Sequence, residues 1–195
     1  RIGTSSLRRR AQLLALRPDL EVVELRGNVP TRVRKVDDGQ VHGAILAAAG
    51  LHRLGAHQRI AGYLDAPLWL PAAGQGAIAV QGRADDAELR PVLESLDHPA
   101  TRTAIRAERA FLAALEGGCQ VPIGALAVER EGQWTLYGMI ADIRGKTVVR
   151  ADHHMDPRAP EDTAERLASI VRLRGGEEIL EQLREENELP KPQPE

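Results

Sequence analysis

Three consecutive arginines, Arg8, Arg9 and Arg10, stand in the first turn of the first predicted helix. A helix N-terminus already carries about half a positive charge and a set of unpaired backbone N–H groups, so cations gain nothing from the helix field there. The hydroxyls of Thr4 and Ser6, just upstream, add hydrogen-bond donors and a helix cap. The combination predicts a receptor for a carboxylate or a phosphate, with a solvated basic helix end as the alternative.

Cys119, the only cysteine of the 195-residue chain, follows Gly117 and Gly118. Two glycines take the chain out of a helix into a loop and leave the sulfur without screening side chains, which favours a reactive or modified thiol. Most free cysteines are instead small buried apolar residues, and that alternative stays open. A lone cysteine forms no disulfide within the chain, which is typical of a reducing compartment.

Strand-like and helical runs alternate over residues 1–75. The predicted strands lie at 1–3, 21–25 and 43–46, the last of them buried, and the predicted helices at 5–17, 30–36 and 47–54. This alternation indicates an α/β fold with a doubly wound parallel or mixed sheet. Such sheets bind ligands beyond the carboxyl ends of their strands. Because Arg8 and Arg9 follow the first strand, and Arg26 and Arg32 the second, we expect these four guanidinium groups to meet at one edge.

The pattern changes after residue 75. An apolar strand at 77–80 and a helix at 86–96 are predicted first. A helix at about 101–116, three strands near 123–129, 133–142 and 147–153, and helices at 161–174 and 176–185 follow. Turn residues between the three strands predict an antiparallel meander, so this second part is a small α+β domain. A Pro-rich tail closes the chain.

Composition excludes two classes of partner. The formal net charge is −2 and aromatic residues make up 3% of the chain, whereas nucleic-acid binders are usually basic and stack bases on aromatic rings. The sequence contains no apolar run of membrane-spanning length and no signal-peptide pattern. We therefore expect no nucleic-acid or membrane partner, and a cytoplasmic location.

Four motifs together resemble the porphobilinogen deaminase (hydroxymethylbilane synthase) family. They occur in the family's order and spacing, and the resemblance covers nearly the whole chain except the tail. The motifs are Gly3-Thr4-Ser5-Ser6-Leu7-Arg8-Arg9, Leu25-Arg26-Gly27-Asn28-Val29 with Thr31-Arg32, Leu70-Pro71 with Gly74-Gln75-Gly76, and Leu115-Glu116-Gly117-Gly118-Cys119-Gln120-Val121-Pro122.

The resemblance implies a monomeric transferase of tetrapyrrole and heme biosynthesis, which condenses four porphobilinogen units into linear hydroxymethylbilane and releases ammonia at each step. The product grows on a dipyrromethane cofactor that a thioether joins to the cysteine matching Cys119. The resemblance assigns no metal. Because each pyrrole carries two carboxylates, bidentate arginines suit the growing polypyrrole. By the same resemblance, the cofactor-binding residues are Cys119, Thr4, Ser6, Arg8, Arg9 and Ala47, and the substrate-binding residues are Arg9, Arg26 and Arg32.

The resemblance also implies a division into domains. Residues 1–75 match the family's second domain, which resembles periplasmic binding proteins, residues 76–97 a return segment of the first domain, residues 98–187 the third domain, and residues 188–195 a flexible tail. We expect the first domain and its catalytic aspartate to be absent, so this chain alone would lack turnover and its segment 77–96 would be weakly anchored.

Two other functions remain as alternatives. Arginines at strand ends could hold any small dicarboxylate, so a non-enzymatic solute-binding module is the first alternative. An RNA-binding fragment is the second, but it would need aromatic or lysine-rich company and a basic net charge. A covalent adduct on Cys119 would separate the enzyme from the solute binder.

Overall fold

A computed structural model describes residues 1–115 and 121–186. The predictions for Cys119 and for the tail at 188–195 lie outside these described residues. Within them, none of the helices has both the length and the apolar character that crossing a bilayer requires.

Apart from the strand predicted at 77–80, the predicted elements occur in the predicted order, with shifts at their ends. The strands are β1 (Ile2–Gly3), β2 (Val22–Val23), β3 (Gly43–Ala44), β4 (Ile123–Arg130), β5 (Gln133–Ala141) and β6 (Val148–His154). The helices are α1 (Leu7–Leu16), α2 (Val29–Asp37), α3 (Ala48–Arg53), α4 (Arg90–Ser95), α5 (Pro99–Ala114), α6 (Pro160–Val171) and α7 (Glu177–Glu186), with a 3-10 turn at His57–Arg59 and a π turn at Arg172–Gly176.

The first three strands form a parallel sheet in the order β2-β1-β3. The predicted mixed α/β class with a parallel sheet is confirmed, although each strand is only two residues long. The strand predicted at 43–46 is present as Gly43–Ala44, but the prediction that it is buried is wrong. Among the described residues β3 pairs with β1 alone, and its residues are half-buried, because an edge strand has a neighbour on just one flank.

The last three strands form a separate antiparallel sheet in the order β4-β5-β6, so the predicted meander is confirmed. Helices α5, α6 and α7 supply apolar residues to the core over this sheet. Phe111, Leu136 and Leu167 are fully buried at its centre. Packing of this kind contributes most of the stability of such a unit.

Gly138 on β5 lies directly against the ring of Phe111 on α5. A Cβ at this position would lie 2.4 Å from Cζ of Phe111. We expect Gly138→Ala to lower the free energy of unfolding by about 2 kcal/mol, because the fully buried ring has no room to move. Urea unfolding measures this, with Gly62→Ala as the control, since a Cβ there meets no atom within 4 Å. Equal losses in the two variants would contradict the packing argument.

Residues 77–89 form neither helix nor strand. The predicted strand at 77–80 is therefore wrong. Ile78 and Val80 are 76% and 60% exposed. No other strand in the described residues lies alongside, so a strand here would leave its backbone N–H and C=O groups without ladder partners. The predicted helix at 86–96 is shortened to α4, with Leu96 exposed. Weak anchoring of segment 77–96 stays a prediction.

Segment 66–75 contacts both helix α1 and the antiparallel sheet. Leu70 is fully buried in a small apolar cluster with Ala11 of α1 and Met139 of β5. The next residue, Pro71, accepts a hydrogen bond through its carbonyl from the N–H of Ala125 on β4, at 3.1 Å. Segment 66–75 is therefore packed between α1 and the antiparallel sheet.

Candidate carboxylate-binding site

The carboxyl ends of β1, β2 and β3 meet at one edge of the parallel sheet, here called the carboxyl edge. Hydrogen bonds connect the loops that leave this edge. The Ser5 hydroxyl donates to the carbonyl of Leu25 at 3.2 Å, and the Arg9 guanidinium donates to the carbonyl of Ile45 at 2.9 Å. The loops after the three strands are thus brought together, as parallel sheets of this class require.

Thr4 and Ser6 organise the start of α1. Ser6 is the N-cap, and its Oγ accepts from the backbone N–H of Arg9 at 3.4 Å. The N–H of Ser6 in turn donates to Oγ1 of buried Thr4 at 3.2 Å. A hydroxyl that accepts in this way still carries its own hydrogen, which it can donate to an anion.

Arg8 is only 8% exposed, which is unusual for an arginine. Its Nη1 donates to the carbonyl of Leu70 at 2.9 Å, and its Nη2 donates to Oε1 of Gln75 at 3.3 Å. Burial, together with the positive charge of Arg9, lowers the pKa of Arg8 to about 10. The side chain is therefore charged at neutral pH, while the carbonyl and the amide that it contacts carry no negative charge.

Arg9 is half-buried and lies between two other cations. Burial lowers its pKa, and the positive charge of Arg32 lowers it further. Arg32 is held at the start of α2, where the side chain of Asn28 caps the helix and where Arg32 Nε donates to the carbonyl of Gly27 at 2.8 Å. The charge of Arg9 thus lies close enough to Arg8, and that of Arg32 close enough to Arg9, for each pair to repel, and an anion beside Arg9 would relieve this repulsion.

Arg26 differs from the other three predicted arginines. Its side chain is 82% exposed and forms an ion pair with Glu24, with an Nε–Oε1 distance of 2.6 Å. The structure therefore brings Arg9 close to Arg8 and to Arg32. Arg26 instead pairs with Glu24, which lies in the same loop after β2. The predicted role of Arg26 in binding substrate stays a prediction.

A cavity of about 500 Å³ opens beside Arg9 at the carboxyl edge. Ala47, which precedes α3, lines it. Tyr63, Trp69 and Gln75 also line it, and the sequence did not assign them a role. The cavity combines the guanidinium groups of Arg9 and Arg59 and the carboxyl group of Asp65 with broad apolar walls, and such walls suit a flat ring that carries carboxylate arms.

Gln75 could have been found from its neighbours. It stands between Gly74 and Gly76, and both glycines adopt positive φ values, 72° and 97°. The N–H of Gly74 donates to Oε2 of buried Glu108 on α5 at 2.6 Å. A glutamine in so tight a turn is fixed by its backbone, and this one reaches Arg8. The two flanking glycines are therefore the sequence feature that could have pointed to Gln75.

Comparison with known proteins adds independent evidence. The model named "Porphobilinogen deaminase, dipyromethane cofactor binding domain" matches residues 1–91, and "Porphobilinogen deaminase, C-terminal domain" matches residues 102–173. The chain belongs to the porphobilinogen deaminase family.

Porphobilinogen deaminases of several bacteria are close relatives. That of Carboxydothermus hydrogenoformans is 49% identical over 184 residues, which are 94% of this chain and 59% of the relative. That of Desulforudis audaxviator is 48% identical over 183 residues, with the same two coverages. The chain therefore spans about three-fifths of the length of these porphobilinogen deaminases.

Proposed function

We propose that this chain is the cofactor- and substrate-binding part of a hydroxymethylbilane synthase, a transferase that condenses four porphobilinogen units stepwise and releases ammonia. One observation carries the proposal. Arg9 lines a cavity of about 500 Å³ at the carboxyl edge, and it lies close enough to Arg8 and to Arg32 for like charges to disfavour one another in each of these two pairs. Such a cluster is stabilised by a ligand with several carboxylates.

The residues present fit a dipyrromethane cofactor. This group has two pyrrole rings with four carboxylate arms, and it supplies the primer to which further pyrroles are joined. Arg8 and Arg9 would bind its carboxylates, while Thr4 and Ser6 would donate their hydroxyl hydrogens. Ala47 would line the cleft through its backbone, and Cys119 would hold the cofactor by a thioether. A covalent tether suits stepwise growth, because intermediates cannot diffuse away between additions.

The substrate would be bound by Arg9, Arg26 and Arg32. Arg26 can take part because its ion pair with Glu24 is largely exposed. Exposed pairs contribute about 0–1 kcal/mol to stability, so an incoming carboxylate can replace Glu24 at little cost. Arg9 would serve the cofactor and the substrate in turn, since it lies between Arg8 and Arg32 in the charge cluster.

The proposal includes an architecture and a location. The parallel sheet would belong to a doubly wound, periplasmic-binding-protein-like domain at residues 1–75. Residues 76–97 would return to a first domain, and residues 98–187 would form the domain with the cofactor cysteine. The protein would act as a monomer in the cytoplasm, where a lone cysteine is typical.

Intact-mass spectrometry of freshly purified protein tests the proposal. We expect a covalent dipyrromethane adduct that peptide mapping assigns to Cys119 and that disappears in Cys119→Ser. An unmodified thiol together with a reversibly bound small dicarboxylate would overturn the proposal and would support a solute-binding module instead.

A further inference from the structure

Gln12 is a fully buried polar residue one helical turn after Arg8. Its side-chain amide pairs in both directions with the backbone of Leu70. Its Nε2 donates to the Leu70 carbonyl at 3.0 Å, and its Oε1 accepts from the Leu70 N–H at 2.8 Å. This is the hydrogen-bond pattern of a neighbouring β-strand, supplied here by one side chain.

The same carbonyl connects Gln12 to Arg8. The Leu70 oxygen accepts from Nη1 of Arg8 at 2.9 Å and from Nε2 of Gln12 at 3.0 Å. Gln12 also donates to the backbone carbonyl of Arg8 at 3.4 Å. The position of the Arg8 guanidinium therefore depends on where Leu70 is held, and the amide of Gln12 holds Leu70 on both its N–H and its C=O.

The residues on either side of Leu70 form part of the cavity wall. Trp69, Pro71 and Gln75 line the cavity, and Gln75 accepts the second hydrogen bond of Arg8. A shift of Leu70 relative to α1 would thus move Arg8 and this wall together. A side-chain amide that is fully buried and fully paired is well suited to prevent such a shift.

We propose that Gln12 is a positioning residue for carboxylate binding, which fixes Leu70 so that Arg8 and the cavity wall at 69–75 face the ligand in one arrangement. This inference rests on the proposed function, in which Arg8 binds carboxylates of the cofactor. Porphobilinogen, one pyrrole that carries two carboxylate arms like each cofactor ring, is the probe for that subsite. Gln12 itself would not touch the ligand.

Calorimetric titration with porphobilinogen tests the inference through two variants, in the Cys119→Ser background that carries no covalent cofactor and that serves here as the unchanged chain. We expect Gln12→Leu to bind about tenfold more weakly, because one charge-assisted contact loses its geometry. We expect Gln12→Glu to bind more weakly still, although it keeps the acceptor for the Leu70 N–H. Its carboxylate would lie beside Arg8 and compete with the carboxylates of the ligand.

Leu167→Ala is the control for a loss of stability alone. Leu167 is fully buried in the core over the antiparallel sheet, and we expect this variant to bind porphobilinogen like the unchanged chain at a temperature where all variants are folded. The inference is overturned if Gln12→Leu binds porphobilinogen with an affinity within twofold of that of the unchanged chain. It is also overturned if Leu167→Ala loses as much affinity as Gln12→Leu, or if Gln12→Glu binds more tightly than Gln12→Leu. If the unchanged chain binds no porphobilinogen, the proposed function fails, and this inference fails with it.

Discussion

Arg9→Gln is expected to weaken the binding of porphobilinogen by about 30-fold, the largest loss of affinity among the single substitutions considered. A hydrogen bond to a charged group contributes about 2 kcal/mol, which corresponds to that factor. Arg9 lines the cavity and lies between the charges of Arg8 and Arg32. Glutamine keeps the aliphatic part of the side chain, but its amide nitrogen ends two bonds short of the Nη1 atom that donates to the Ile45 carbonyl, so the variant removes both the charge and that hydrogen bond.

Arg17→Gln is the matched control, because it makes the same change at the other end of α1. Arg17 is exposed and pairs with Asp19 at 2.7 Å, well outside the lining of the cavity. Titration calorimetry at one fixed ionic strength should give unchanged affinity for this variant, since surface ion pairs contribute little. Affinity losses of similar size in the two variants would mean that porphobilinogen responds to the net charge of the chain and not to the charge cluster.

Glu108→Ala is expected to lower the free energy of unfolding by about 3 kcal/mol, because it leaves the buried N–H of Ala127 and the half-buried N–H of Gly74 without their acceptor. Glu108 is 5% exposed. It accepts from the N–H of Ala127 on β4 at 2.9 Å and from the N–H of Gly74 at 2.6 Å. One carboxylate thus joins α5 to the antiparallel sheet and to the turn that carries Gln75. Urea unfolding measures the loss.

Two further variants separate the hydrogen bonds of Glu108 from its charge. Glu108→Gln keeps one acceptor oxygen, so about half of the loss is expected. Glu161→Ala removes an exposed carboxylate that pairs with Arg106 at 2.7 Å, and a change of less than about 1 kcal/mol is expected. If Glu161→Ala destabilised the protein as much as Glu108→Ala, the N–H groups of Ala127 and Gly74 would not be the cause.

The Glu108 carboxyl should also make stability depend on pH. Burial raises its pKa above the ordinary 4.5, and the hydrogen bonds from Ala127 and Gly74 oppose this only in part. Between the two values the folded protein binds a proton that the unfolded chain has released, so stability falls as pH rises through this range. The free energy of unfolding of the unchanged chain, measured relative to Glu108→Gln, should therefore decrease as pH rises above 4.5. An increase would contradict the direction of the shift.

Local patterns predicted the elements wherever the chain carries its own start and stop residues. Ser6 caps α1, Asn28 caps α2, and the turn at Glu131 and Gly132 closes the β4–β5 hairpin. These residues act on neighbours within four positions, so a sequence displays them directly. The strand predicted at 77–80 failed for the opposite reason, because an apolar run becomes a strand only when another strand pairs with it.

The sequence by itself determined the family, the order of most elements and the presence of arginines after two parallel strands. These features follow from motifs, caps and strand–helix alternation, which are properties of short segments. Only the tertiary structure decided which arginines come together. Arg26 turns to Glu24, while Arg8 is buried against Leu70 and Gln75, more than 60 positions away. Contacts at such separation depend on how segment 66–75 folds back over α1, and the buried amide of Gln12 takes part in that packing in a way that no local pattern indicates.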